Sequence, residues 1–429
     1  MYRPIIPLLA VALSCPAFAQ ISARPPAQLG HPMPSNAANQ TREASGPLSL
    51  QAALRLALQA NPELRAAEHE VQAVEAATMQ ARALPNPTLE IGVEDTRRET
   101  RETTVQLSQP LELGGRRASR VSAAERAQDA ARADLGVRRA AVQADVITAF
   151  MNTVAAQERL RLSQESQDVA DRVTTAVSKR VQAGKASPVE ETRARVAQSY
   201  VRLEVSKSQS ELNNARLALA STWKNVSPQF QHAVGTASTL PELPRWEVLA
   251  AKFSSLPAVV RAHAEVARRE ALVAVEQSRR TPDVAITAGI KRSAELGRNQ
   301  AVFGLSVPLP LFDRNRGNVL EALRRTDVAK DEFEVAETKT YNDLAQAYER
   351  LRVSRHEAQV LASEILPGAQ SAYDAAVKGF EFGKFAYFDV LDAQRTLIAA
   401  RSQYIQAVSE ATDARVRIER IFGDLSVRP

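Results

Sequence analysis

Two long segments of this chain, residues 116–181 and 314–378, are almost free of residues that break helices. The first has 66 residues and no proline, and the second has 65 residues and a single proline, Pro367. At 1.5 Å per residue, a helix of either length would reach roughly 100 Å. Such a helix extends far beyond a small globular domain, so it has to pack lengthwise against other helices. We expect the second helix to kink at Leu366-Pro367-Gly368.

The chain also repeats itself at a nearly constant interval. Four pairs of turn residues recur 195 to 199 positions apart: Pro62 and Pro257, Pro87 and Pro282, Pro110 and Pro308, Gly184 and Gly383. Self-similarity of this kind indicates a duplicated structural unit. Each half follows one order of predicted elements, namely helix, strand, loop, strand, very long helix, turn and helix. The sequence therefore predicts a mainly α-helical chain built from two tandem structural repeats.

These patterns divide the chain into six parts. They are a signal peptide (1–19), a flexible N-terminal extension rich in Pro, Ser, Asn and Gly (20–47), repeat 1 (48–223), a linker (224–246), repeat 2 (247–423) and a C-terminal tail (424–429). Repeat 1 is predicted to contain strands at about 87–95 and 103–109, a long helix at 116–181 and a helix at 188–223. The equivalent segments of repeat 2 are 282–290, 300–307, 314–378 and 386–422.

The N-terminus has the pattern of a secretory signal peptide. Arg3 precedes an apolar run, and Ala17-Phe18-Ala19 supplies the small residues that precede a cleavage site. The run is too short to span a bilayer. Cleavage after Ala19 would remove the sole cysteine, Cys15, and leave a mature chain without thiols. The alternative is lipoprotein cleavage just before Cys15, which Ala12 disfavours because leucine is usual at that position.

The four predicted strands alternate apolar and polar residues with a period of two. In the first, Leu89, Ile91 and Val93 share one face, and the other three alternate in the same way. One interpretation is a sheet that packs on a soluble core. The other is a membrane β-barrel, apolar outside and polar inside. Four strands cannot close a barrel, and hydrocarbon does not tolerate open edges, so a membrane barrel would require several chains; three chains would supply about twelve strands.

Apolar residues seven positions apart predict how the last helix packs. They form two adjacent rows: Leu391, Ile398 and Ile405 in one, and Val390, Leu397, Tyr404, Ala411 and Ile418 in the other. Two neighbouring rows indicate a helix with a neighbour on each side, as in a hollow tube of helices. A broad apolar stripe in a four-helix bundle would give the same pattern.

Over essentially all of the mature sequence, the chain resembles the TolC family of outer-membrane efflux channels. The similarity is carried by four stretches: LSLQAALRLALQANPEL (48–64), SQPLELGGRR (108–117), SVPLPLFDRNRG (306–317) and GKFAYFDVLDAQRTL (383–397). The last looks most like the CzcC branch, which serves heavy-metal efflux. The resemblance implies a homotrimer with a twelve-stranded barrel in the outer membrane and a helical tunnel through the periplasm. It also implies two partners, a periplasmic adaptor and an inner-membrane resistance-nodulation-division transporter.

The same resemblance implies a periplasmic gate at the two helical turns, where the adaptor docks. The turn residues are Gly184, Lys185, Gly383 and Lys384, and the gate residues are Asp389, Asp392, Glu190, Phe380 and Phe385. Arg193 occupies the place in repeat 1 that corresponds to Asp392. Two physical arguments agree with this interpretation. The helix dipole stabilises acidic side chains in the first turn of a helix, and a ring of carboxylates attracts cations. The alternative is that both aspartates only cap a solvated helix start. Phe380 and Phe385 replace a tyrosine and an arginine that help close the tip in TolC itself, so an apolar constriction is an option here.

No pattern in the sequence predicts an enzyme. The five histidines are scattered without ligand spacing, and Gly114-Gly115 lacks a phosphate-binding pattern. The net charge is +6, and residues of both signs are interspersed along the chain without a basic block. This distribution argues against nucleic-acid binding. We therefore predict no catalytic activity, no cofactor and no metal site in the chain itself. The competing functions are an outer-membrane exit duct for metal cations, for drugs or for secreted proteins, and a soluble periplasmic coiled-coil scaffold.

Overall fold

The computed structural model describes residues 45–95, 97–235 and 240–423. The predicted signal peptide, nearly all of the N-terminal extension and the C-terminal tail lie outside these residues. The elements of repeat 1 are β1 (Leu48–Ser49), α1 (Leu50–Ala60), α2 (Pro62–Arg82), β2 (Thr88–Glu94), β3 (Glu102–Leu111), α3 (Arg116–Gln182) and α4 (Pro188–Ser221). The elements that follow are β4 (Ala233–Val234), α5 (Trp246–Ala251), α6 (Pro257–Ser278), β5 (Val284–Ser293), β6 (Arg298–Ser306), α7 (Arg316–Val360), α8 (Leu366–Glu381) and α9 (Tyr387–Phe422).

The long helix α3 runs without interruption for 67 residues, whereas its counterpart in repeat 2 is broken. Between α7 and α8 lies one π-helical turn, Leu361–Ile365. It comes directly before α8, whose second residue is Pro367. The ring of a proline clashes with the preceding helical turn, and its nitrogen has no proton to donate. The interruption expected at this proline is therefore accommodated in the turn that precedes it. No helix in the described part of the chain is long and apolar enough to cross a membrane.

The four longer strands form one antiparallel sheet in the order β2-β3-β5-β6. The pairing of β3 with β5, through partners such as Val105 and Ile290, joins the two repeats at the centre of the sheet. One face is apolar across all four strands and exposed: Leu89, Ile91, Val93, Val105, Leu107, Ile286, Ile290, Phe303 and Leu305. Within the described residues, no other element covers this face or pairs with the outer edges of β2 and β6.

The predicted linker does more than join the repeats. Its strand β4 pairs in parallel with β1, so that Ala233 lies opposite Leu48. Phe230 is fully buried in a cluster with residues of α1, α3 and α4. The sequence identified this segment only as a linker and did not predict the buried phenylalanine that holds it against repeat 1.

The helices pack along their lengths, and α3 contacts α2, α4, α6 and α9. On α9, the row that contains Val390, Leu397, Ala411 and Ile418 is buried. Residues of the other row are buried or half-buried, and Leu391 packs in a cluster at the turns. Both predicted rows therefore face neighbours, because α9 lies against α3 on one side and against α7 and α8 on the other.

Candidate functional site at the two helical turns

The α3–α4 turn and the α8–α9 turn have the same backbone geometry. Gly184 and Gly383 both adopt the left-handed conformation, with φ of 70° and 71°. The next residue in each turn donates its N–H to a carbonyl five positions back, Lys185 to Arg180 and Lys384 to Gly379, both at 2.8 Å. This is the Schellman arrangement, in which a glycine without a Cβ lets the helix reverse. The glycine–lysine repeat seen in the sequence therefore corresponds to one turn built twice.

The helices that follow the two turns begin differently. In α4, the hydroxyl of Ser187 accepts the N–H of Val189 at 3.2 Å. In α9 the equivalent residue is Ala386, which has no side-chain acceptor. Instead, the carboxylate of Asp389 reaches back and accepts the N–H of Ala386 at 2.8 Å. Asp389 therefore caps the helix while its side chain stays exposed, so the capping and gate interpretations are compatible.

The phenylalanines of the second turn take three different positions. Phe385 lies against Gly379, where an added Cβ would come within 2.0 Å of the ring. Phe380 is half-buried and packs against residues of α3 and α4. Phe382 lies at the start of the turn, directly after α8, and is 78% exposed. The sequence argument named Phe380 and Phe385 but did not single out Phe382.

The two turns belong to one packed end of the molecule. Val177 of α3, Ala194 of α4 and Tyr387 of α9 are buried together. Two arginines of repeat 1 cross to aromatic rings of repeat 2. The guanidinium carbon of Arg180 lies 4.9 Å from the centre of the Phe380 ring, and that of Arg193 lies 5.0 Å from the centre of the Phe388 ring. Each cation–π contact contributes about 0.5–1 kcal/mol at an exposed site.

Asp392 lies in a groove of about 290 Å³ between α4 and α9. The groove combines apolar and charged side chains: Thr192, Arg193, Val196, Ala197, Tyr200, Phe388, Leu391, Asp392 and Arg395. Asp392 is exposed, and no ion pair involves it among the described residues. Arg193, the repeat-1 counterpart of Asp392, thus lies in the same groove as Asp392.

Glu190 and Glu191 open the first turn of α4. Glu190 is the half-buried counterpart of Asp389. Glu191, which the sequence argument did not select, accepts hydrogen bonds from Ser178 of α3 and from Arg195. These bonds lower the pKa of Glu191, and the bond from Ser178 has the largest effect. Its role is therefore to tie α4 to α3, and only its spacing to Arg195 could have signalled it.

The described residues contain no group of three or more histidine, cysteine, aspartate or glutamate side chains arranged to hold a metal ion. Within that part of the chain, the histidines occupy separate places. His263, for example, packs edge-on against Phe333 with 6.1 Å between ring centres.

The duplicated fold and the paired turns match a known family. The family model described as outer membrane efflux protein matches residues 53–223 and again residues 254–424, once for each repeat. The chain belongs to this outer membrane efflux protein family. The resemblance drawn from the sequence is confirmed, as are the mainly helical fold, the two tandem repeats and the outer-membrane location.

Other members of the outer membrane efflux family are similar over long stretches. The cobalt-zinc-cadmium resistance protein CzcC of Cupriavidus metallidurans is 45% identical over 424 residues, which is 99% of this chain and all of that protein. The nickel-cobalt-cadmium resistance protein NccC of Alcaligenes xylosoxydans xylosoxydans is 28% identical, over 65% of this chain and 64% of its own length.

Solved structures of outer-membrane channels have the same fold. The transmembrane channel CusC superposes with a TM-score of 0.75 at 19% identity, covering 87% of this chain and 91% of its own. The open state of the MtrE outer membrane channel of Neisseria gonorrhoeae gives a TM-score of 0.74 at 20% identity, covering 87% and 88%. At these identities the similarity establishes the fold, and the substrate has to be argued from other observations.

Proposed function

We propose that this protein is the outer-membrane exit duct of a tripartite efflux system that expels divalent heavy-metal cations. The observation that carries the proposal is the 45% identity with a cobalt-zinc-cadmium resistance protein over the full length of both chains. The chain performs no catalysis in this role. The energy of transport and the choice of metal belong to the inner-membrane pump, and the duct supplies a passive path.

The exposed sheet supports the membrane part of the proposal. A face of leucine, isoleucine, valine and phenylalanine that no other described element covers fits hydrocarbon. The opposite face carries Glu90, Gln106 and Thr287, which fit a water-filled lumen. The unpaired edges of β2 and β6 cannot remain open in lipid. Three copies joined edge to edge, β6 of one to β2 of the next, would close a barrel of about twelve strands.

The paired turns support the proposed gate and docking end. Three-fold symmetry would turn Asp389, Asp392 and Glu190 each into a ring of carboxylates at the mouth of the tunnel, where cations are favoured over anions. Phe380 would hold the α3–α4 and α8–α9 turns together, and Phe385 would stabilise the second turn by packing on Gly379. The exposed residues Gly184, Lys185, Gly383 and Lys384 form the outermost surface, which a periplasmic adaptor would contact on the way to a resistance-nodulation-division transporter.

Metal tolerance tests the proposed substrate. A strain that lacks this gene should lose resistance to one or more of zinc, cadmium, cobalt, nickel, copper and silver, and the intact gene should restore it. The growth of the strain on each metal and on a panel of drugs is the measurement. Unchanged tolerance to every metal, together with new sensitivity to drugs, would contradict the heavy-metal assignment while leaving the duct in place.

Export of organic molecules is the second candidate. The pyoverdine export outer membrane protein OpmQ of Pseudomonas aeruginosa is 25% identical over 72% of this chain. That similarity is weaker and shorter than the one with CzcC, so metal cations remain the substrate we propose. The drug arm of the growth experiment distinguishes the two candidates.

A further inference from the structure

The end of the sheet that lies farthest from the helices has an uneven distribution of charge. Here β2 leads to β3 through residues 95–101, and β5 leads to β6 through residues 294–297, whereas all helices join the opposite end. Several arginine, lysine, aspartate and glutamate residues cluster around these two turns. The lysine at this end of the polar face has carboxylate partners, whereas two arginines at this end of the apolar face do not.

On the polar face, the charge of one lysine is neutralised within the chain. Lys291 forms ion pairs with Glu102 and with Glu94, the latter at 3.8 Å. In the turn itself, Arg97 pairs with Asp95 at 3.3 Å. These contacts use the acids of β2 and β3 that lie nearest to the turns.

On the apolar face, two arginines have no such partner. Arg292 follows Ile290 by two residues on β5, so it extends the row of apolar side chains, and it lies opposite Thr103 on β3 and Asn299 on β6. Arg101 precedes Thr103 by two residues, and its carbonyl accepts the N–H of Ala294 at 3.0 Å, which continues the ladder. Both side chains are exposed, and neither forms an ion pair within the described residues.

We infer that Arg101 and Arg292 bind the phosphate groups of an anionic glycolipid in the outer leaflet, an inference that rests on the proposed membrane role. Arg292 lies two residues beyond Ile290, which is about 7 Å along the strand. Its guanidinium is therefore at the upper boundary of the apolar band. Lipid head groups lie at that level. A guanidinium presents a planar donor pair that matches phosphate oxygens. Arg292 lies on β5 and Arg101 directly precedes β3, so both belong to the centre of the sheet, away from the edges that would join another copy.

The chain offers a matched control in Arg298. This residue lies opposite Ser293 on β5, so it belongs to the polar face that carries Lys291. It is exposed and, within the described residues, forms no ion pair. Arg298→Gln removes the same charge at the same height from the side that faces away from lipid.

Lipid retention tests the inference. The full-length protein is reconstituted in nanodiscs of phosphatidylcholine that contain either diphosphorylated lipid A or the same lipid without phosphates, extracted in mild detergent, and analysed for bound lipid by mass spectrometry. The wild type and Arg298→Gln should retain the phosphorylated form in preference. The double variant Arg101→Gln/Arg292→Gln should lose that preference, by about fivefold for each arginine.

Two results would overturn the inference: equal retention of both lipids by the wild type, or an unchanged preference in the double variant. The variant Arg101→Lys/Arg292→Lys, which keeps both charges, should retain part of the preference and shows that loss is not due to misfolding. Conductance measured on the same preparations separates the two proposals. A wild type that binds phosphorylated lipid but forms no channel contradicts the duct and leaves the lipid site standing.

Discussion

At the scale of single residues, the carboxylates of Asp389 and Asp392 have different surroundings. The carboxylate of Asp389 accepts a backbone N–H, and that of Asp392 projects into the groove beside Arg193. An asparagine at 389 can still accept the same N–H through its side-chain oxygen, so Asp389→Asn/Asp392→Asn removes charge while it keeps the cap.

We expect this double variant to conduct with a weaker preference for cations, because a channel of three copies with the proposed gate would lose six carboxylates at its mouth. The measurement is the reversal potential across a salt gradient in a planar bilayer. Glu204→Gln is the matched control, since it removes an exposed acid of α4 that lies far from the turn. A reversal potential that is the same in the wild type and the double variant would exclude both aspartates from selectivity.

Gly379 leads to a second prediction at this scale. The ring of Phe385 occupies the space that a Cβ would take, and Gly379→Ala must displace it. Gly368→Ala is the control, because that glycine lies in the same helix with open space around it and alanine favours a helix by roughly 1 kcal/mol. Trypsin should cleave Gly379→Ala faster after Lys378 and Lys384 than it cleaves the wild type. Gly368→Ala should be cleaved no faster than wild type. Equal cleavage rates in both variants would contradict the packing described for Phe385.

At the scale of elements, the two turns share a backbone but not a cap. Ser187→Ala should weaken the start of α4 by about 1 kcal/mol, and Ala386→Ser should strengthen the start of α9 by supplying the missing acceptor. Hydrogen exchange of the amides in each first turn measures both effects. Because one variant should speed exchange and the other should slow it, each variant is a control for the other. Faster exchange at α9 in Ala386→Ser would contradict the expected gain, because the serine hydroxyl would accept an N–H of the first turn while Asp389 keeps that of residue 386.

The sequence predicted elements better than it predicted contacts between them. Period-two alternation located all four strands of the sheet, and the absence of proline located α3, because these signals depend on residues close together in the chain. The buried role of Phe230 and the contact of Arg193 with Phe388 depend on segments that are far apart in sequence. Glu191 was missed although its partner Ser178 is only 13 positions away, because the turn between α3 and α4 brings the two together. The gate residues came from family resemblance rather than from periodicity.

At the scale of the whole molecule, the described part of one chain leaves a sheet with two unpaired edges and an uncovered apolar face. In the proposed duct, other copies would pair these edges and lipid would cover the face. The helical part is also one-sided, because α4 exposes Val189, Val196 and Leu203 at intervals of seven residues. This spacing is typical of a seam that another helix covers, which fits a tube assembled from several chains.

Conductance of the purified full-length protein tests this account most directly. Detergent-solubilised protein of measured mass is added to a planar lipid bilayer, and single-channel currents are recorded. The account predicts a particle of three chains that inserts and conducts ions in discrete steps. A single chain that stays in plain buffer without detergent, or a trimer that never conducts, would contradict it.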